Sequence, residues 1–427
     1  MSSSSAAPSS NRTYAGSIAI IGVLFFIFGF VTWLNGTLIP FLRLACDLQS
    51  DAQALLVTFA FYMSYFFLAI PSSYILRRTG FRTGMSLGLV VMAAGALLFI
   101  PAATTRSYAL FLTGLFVQGM GLALLQTASN PYISVIGPIE SAASRISLMG
   151  ICNKVAGALS PLVLGALVLS GANETVARLE SVVEPAARAA LLQELSDRII
   201  LPYGVMAVVL LLLGLMIRLS PLPEIEGETA ADPGTEGSDT RTSILQFPHL
   251  LLGVVCIFVY VGVEVMAGDV ITVYGKALGL GLEQTKSLTT YTMVSMLVGY
   301  TIGIFTIPRF LRQETALTLS ALTGIAFAAM AFLTSGRLSI TFIALLGLAN
   351  ALMWPAIFPM AIDGLGRFTK IGSALLVMGI AGGAIIPQAY AHLSPTIGHQ
   401  AAFFWCVLPG YLYILFYAVK GHRVGRT

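Results

Sequence analysis

The sequence predicts an all-α integral membrane protein of twelve transmembrane helices in two pseudo-symmetric six-helix halves, and three observations carry that prediction. Of the 427 residues only 10% are charged and 57% are hydrophobic, with a mean hydropathy of +0.87; soluble domains carry roughly 25% charged residues. Stretches of about 20 mostly apolar residues, the length that crosses a bilayer, recur twelve times along the chain. A polar, flexible segment near the middle divides them six and six.

The first six spans are expected near residues 17–42, 53–76, 84–102, 108–136, 146–170 and 199–217, and the second six near 249–273, 287–308, 315–333, 339–361, 371–393 and 400–419. Between the sets lies SPLPEIEGETAADPGTEGSDTRTS (220–243), whose Gly, Pro, Ser and acidic residues mark a flexible linker. The expected organisation is a tail over 1–16, a first half over 17–219, a linker over 220–248, a second half over 249–419 and a short tail over 420–427. The opening MSSSSAAPSSNRT shows neither the charged n-region nor the cleavage site of a signal peptide, so the first span is expected to stay as a helix. Residues 171–198, a long connection rich in alternating charge, are expected to form a surface amphipathic helix.

Lysine and arginine placement sets the orientation. With both termini cytoplasmic, fourteen of the 23 basic residues fall in inner segments and eight in outer loops; the remaining one is Lys154. A multi-pass protein of the cell membrane with both ends in the cytoplasm is the expectation. The net charge of +4 is spread over loops and gives no nucleic-acid footprint. Cys46, Cys152, Cys256 and Cys406 stand singly, which suggests neither a disulfide framework nor a zinc site.

The halves echo each other. VAGALSP (155–161) in the fifth span and AGGAIIP (381–387) in the eleventh align Gly157, Ala158 and Pro161 with Gly383, Ala384 and Pro387. Two repeated six-helix halves on a cytoplasmic linker describe the major facilitator architecture, in which a substrate sits midway between the halves.

Charge inside the bilayer is expensive, so each instance asks for a reason. Three charged residues lie well inside the spans: Lys154, Glu264 and Asp269. The lysine is in the first half and both acids are in the second, so an ion pair across the cavity would break and re-form as the halves rock. A cation competing for the carboxylate turns such a pair into a coupling device; a static lock between two helices is the plainer alternative. Glu264 and Asp269 are five residues apart, about 140° around an ideal helix, and need not face the same space.

Uncharged groups add a second layer. Gln126 and Asn130 share one helix face by their spacing of four. Trp33 and Asn35 fall in the first span, Asn153 in the fifth, and Asn350 and Trp354 in the tenth. Amides offer paired donors and acceptors to sugar hydroxyls, and an aromatic face covers the apolar side of a sugar ring. The competing role for each is a bridge between helices. Trp354–Pro355 and Phe358–Pro359 predict a doubly kinked tenth span, while Gly379, Gly382 and Gly383 fit close helix packing.

At this point GFVTWLNGTLIPFL (29–42), LLQTASNPYISVIGP (124–138) and GLGRFTKIGSALLVMGIAGGAIIP (364–387) come together with YVGVEV (260–265) and FVQGMGLALLQ (116–126). As a set they resemble the fucose/glucose–galactose permease branch of the major facilitators, from about Ala19 to the twelfth span. RRTGFR (77–82) resembles the facilitator loop motif, with Arg77 in place of its aspartate. The resemblance implies uptake of a neutral monosaccharide driven by a cation gradient. It also exposes departures: the acids of proton-coupled fucose permeases in the first and fourth spans correspond to Gly36 and Gln126 here. Asn153 keeps the fifth-span asparagine. Asp269 and Lys154 stand as the candidate replacement pair, and LNG, NK and VEVMAGD look most like the N-acetylglucosamine-transporting members.

The resulting expectation is a symporter for glucose, galactose or N-acetylglucosamine. Its partners are the sugar, a coupling proton or sodium ion and the bilayer, with no nucleic acid, no resident cofactor, no metal and a monomeric state. Another sugar permease (L-fucose included), a uniporter and an exporter working by antiport are the alternatives. With four histidines and no catalytic motif, an enzyme is not expected.

Overall fold

A computed structural model describes residues 11–135, 142–182, 184–220, 222, 243–307 and 310–425. Most of the linker, the first ten residues and the last two lie outside the described residues. Among the described residues, twelve helices are long and apolar enough to cross a membrane. They run Gly16–Ala45, Leu56–Thr79, Phe81–Thr105, Tyr108–Asn130, Leu148–Val168 and Pro185–Leu219, then Pro248–Ala277, Leu282–Thr306, Gln313–Leu333, Gly336–Ile362, Ile371–Ile397 and His399–Val419. Each matches an expected span, and the sixth, which begins at Pro185, exceeds its expected length most.

The local sequence explains the ends. Gly80, at φ 77°, closes the second span and starts the third in a tight turn that a side chain would strain. Gly398, at φ 83°, does the same between the eleventh and twelfth. Residues 171–198 differ from the single helix expected. They form two, Ala172–Ser181 and Pro185–Asp197, because Pro185 cannot continue a helix from behind but suits the first helical position of the next. The second of these runs on into the sixth span.

Several spans are interrupted at mid-depth, and these breaks position the site. The first breaks at Leu34, between Asn11–Trp33 and Asn35–Ala45. The seventh carries a π-helical turn over Met266–Val270, a feature that often marks functional positions. The tenth breaks between Asn350 and Met353, just before Pro355, whose ring is tolerated in the first turn of the following helix. The eleventh tightens to a 3₁₀ turn over Gly379–Ala381.

The halves meet where the first span packs on the seventh, the second on the eleventh and the fifth on the eighth. Thr290 Oγ1 donates to the Ala158 carbonyl across the last of these at 2.9 Å. At the end opposite the termini, Gln388 Nε2 reaches the Ala52 carbonyl at 3.1 Å, and the helix Ala172–Ser181 packs against residues 282–285. The halves are therefore joined at this far end. The membrane-facing sides of the bundle carry exposed Leu, Val and Phe, as a lipid-solvated surface requires.

Candidate functional site

Between the halves lies a cavity of about 870 Å³, its mouth included. Its wall from the first span runs from Phe25 and Phe28 to Thr32 and Trp33, and from the fifth span it includes Ile146, Gly150, Asn153 and Lys154. Ile146 stands at the start of the fifth span, and Asn130 at the end of the fourth and Tyr300 late in the eighth also line it, so the cavity extends from mid-depth toward the terminus-bearing end.

Lys154 Nζ donates to Glu264 Oε1 at 2.8 Å, with side-chain exposures of 8% and 11%. The ammonium also lies 4.4 Å from the centroid of the Trp33 ring, a cation–π contact in a largely desolvated place. The lysine therefore pairs with Glu264, and not with Asp269 as the sequence comparison suggested. The π turn alters the phase of the seventh span between the two acids, and only Glu264 reaches the cavity wall. Because Lys154 belongs to the first half and Glu264 to the second, the pair is a bond between the two halves.

Trp33 is 2% exposed and is held by two glycines. A Cβ on Gly157 would come within 2.5 Å of its ring, and one on Gly268 within 2.2 Å. Only residues without a side chain leave that slot open.

Of the other expected residues, Gln126, Asn130, Asn153 and Trp354 line the cavity. Gln126 Nε2 donates to the Tyr65 hydroxyl at 3.1 Å, and Asn153 Nδ2 points to the Phe25 carbonyl at 3.4 Å. Trp354 stacks on Phe358 with centroids 5.6 Å apart. Asn350 is fully buried and accepts from the Tyr411 hydroxyl at 2.9 Å, away from the cavity lining. Asn35 is fully buried beyond Trp33, with neither amide atom partnered among the described residues. Asp269 is 0% exposed and also off the lining.

The structure adds a set of aromatic residues that sequence reasoning passed over: Tyr62, Tyr65, Tyr260 and Tyr300. Tyr260 carried a usable signal, since it lies one helical turn before Glu264 and must share its face. The whole arrangement offers amides, phenols, one acid–base pair and indole faces around a space for a small polar molecule. Among the described residues no group of three His, Cys, Asp or Glu side chains is placed to hold a metal ion.

Residues 21–412 match the profile of the Major Facilitator Superfamily. The chain belongs to that superfamily. It is 33% identical over 419 residues to a glucose/galactose transporter of Brucella abortus, covering 97% of this chain and 96% of that one. A putative glucose/galactose transporter of Helicobacter pylori strain J99 is 32% identical, covering 97% and 98%. The L-fucose-proton symporter of Escherichia coli is 29% identical over 394 residues, covering 91% and 89%. Among solved structures, the facilitator FucP in the outward conformation superposes with a TM-score of 0.75 at 28% identity, covering 95% of this chain and 99% of that one. These relatives are transporters and not enzymes, and the chain is a sugar transporter of this superfamily with twelve membrane-spanning helices.

Proposed function

We propose that this facilitator imports glucose or galactose by symport with a cation, a proton or sodium, moving between states open to either side. Both termini are assigned to the cytoplasm by the bias of basic residues, which puts the cavity mouth on the cytoplasmic side. The observation that carries the reading is the Lys154–Glu264 pair, a bond between the halves set into the wall of an amide- and aromatic-lined cavity. A sugar hydroxyl that accepts from Lys154 or donates to Glu264 competes with that bond, so sugar binding and the tie between the halves are linked. The names of the relatives favour glucose and galactose, and N-acetylglucosamine is the third candidate from the sequence motifs. Trp33 and Trp354 supply ring faces for a pyranose, and Gln126, Asn130 and Asn153 supply amides. The protein works as a monomer, since each chain encloses its own cavity.

Counterflow in proteoliposomes of the full chain tests this. Preloaded glucose or galactose is expected to draw labelled glucose inward, with N-acetylglucosamine and L-fucose as comparison sugars. If none of the first three exchanges with label, the substrate assignment is wrong. Exchange without accumulation under a proton or sodium gradient makes the protein a uniporter.

A further inference from the structure

The two mid-depth breaks, at Leu34 in the first span and at Met266–Val270 in the seventh, meet at one point, where the edge of the Trp33 ring lies against Gly268. Directly beyond it lies Asp269. This carboxyl is 0% exposed, and neither oxygen has a hydrogen-bond partner among the described residues. The Gly36 backbone N–H faces it, short of hydrogen-bond geometry. Thr289 Oγ1, also unpartnered among the described residues, is packed against Gly36.

The charged and titratable groups that face Asp269 are Glu264 on its own span, Lys154 on the fifth and Tyr62 on the second. Lys154 is committed to Glu264 and lies over the face of Trp33. Among the described residues Asp269 therefore has no counter-ion of its own. An ionised carboxylate buried in this way costs several kcal/mol, and a bound proton removes that cost.

We propose that Asp269 is the proton-carrying group of the transporter and that Trp33 is the partition between it and the sugar cavity. The proposal rests on the symport reading and names the ion and its seat. A proton is favoured over sodium by what faces the carboxyl. Gly36 lies just past the break at Leu34, in the first turn of the helix Asn35–Ala45, and a backbone N–H donor, not a carbonyl, points at the site. Such a donor repels a metal cation; it also favours the ionised carboxyl, while full burial without a counter-ion opposes it, so the group is poised to take up and give back a proton. In the state open at the far end, a hydronium ion gives its proton to an Asp269 oxygen and leaves as water. In the state described here Trp33 covers that acid, and its proton reaches cytoplasmic water when the ring leaves the notch at Gly268.

The test uses the full chain in sodium-free proteoliposomes with no initial pH gradient. Added glucose is expected to make the outside medium more alkaline as protons follow the sugar inward. Asp269→Asn, which mimics the protonated acid, is expected to keep glucose exchange within about two-fold. It should show no proton movement and at least a ten-fold loss of accumulation under an imposed pH gradient. Trp33→Ala is expected to let protons through without sugar. Wild-type accumulation that needs sodium and moves no protons overturns the proposal while leaving symport intact, and that arm needs no variant to fold. Accumulation by Asp269→Asn at the wild-type level also overturns it. Exchange by the wild type with no accumulation under either gradient overturns symport itself.

Discussion

Two buried acids five residues apart on the same span have opposite surroundings. Glu264 lies on the cavity wall, receives Lys154 at 2.8 Å and keeps a small exposure to the cavity. Asp269 is beyond Trp33, wholly buried and without an ionic partner. The bilayer penalises both, so the difference lies in how each is relieved: one by a cation of the protein, the other, in the proposal above, by a proton that comes and goes. The first arrangement suits a bond that sugar can replace. The second suits ion carriage, because a group with no fixed partner changes its occupancy with the solution it last met. One π turn separates the two environments.

The comparison breaks most severely at the lysine. Lys154→Ala leaves Glu264 buried and unpaired, a change that costs about 3–5 kcal/mol in comparable pairs. Uptake is expected to vanish and the melting temperature in detergent to fall. The double variant Lys154→Met with Glu264→Leu separates lock from latch. It is expected to regain stability, since paired apolar replacements are often neutral, yet to remain inactive. Recovery of transport by the double variant would reduce the pair to a static tie.

A smaller loss is expected at the partition. Gly268→Ala puts a methyl 2.2 Å from the Trp33 ring, and overpacking of this kind costs about 1–3 kcal/mol. Initial uptake rates should fall several-fold, with a lower melting temperature.

Next come the asparagines. Asn153→Ala should raise the KM for glucose, because Asn153 lines the cavity, while Asn350→Ala should lower stability by about 1 kcal/mol through loss of the Tyr411 bond. Its KM should stay unchanged. Uptake kinetics beside thermal melts read both.

The smallest effect belongs to the far-end surface, where Arg188 holds Asp47 at 2.7 Å. The hydrogen bond from Arg188 lowers the pKa of Asp47, against a smaller opposing effect of burial. A depressed carboxyl pKa adds stability above the unfolded value and loses it as pH falls through the folded one. The contribution is thus present at neutral pH and is lost progressively as pH falls below about 4. Arg188→Ala should shift melting slightly at pH 7, by progressively less as pH falls below about 4, and leave transport unchanged.

The architecture was legible in the sequence because the bilayer leaves so few solutions: twelve apolar lengths and one polar linker already imply the bundle. Lys154 and Glu264 were legible for the same reason, since charge in an apolar span is costly enough to need a purpose. Which acid the lysine meets was not legible, because an ideal helical phase does not survive the π turn at Met266–Val270. Asn350 looked like its neighbour Trp354 in the sequence, but the break before Met353 sends one to the packing and the other to the cavity. Tyr62, Tyr65 and Tyr300 were hidden among 15 tyrosines and 25 phenylalanines in a chain where aromatic residues also serve as plain packing. The split at Pro185 was readable and was missed, as the alternating charge on both sides suggested one continuous helix.

The division of labour between the two acids is the centre of this account, and one paired measurement tests it most directly. Glucose exchange and pH-gradient-driven accumulation are recorded in the same proteoliposomes for Glu264→Gln and Asp269→Asn. Glu264→Gln is predicted to lose both by at least ten-fold, and Asp269→Asn to lose accumulation alone. If the two variants fail in the same way, the acids form one site and the partition at Trp33 has no meaning.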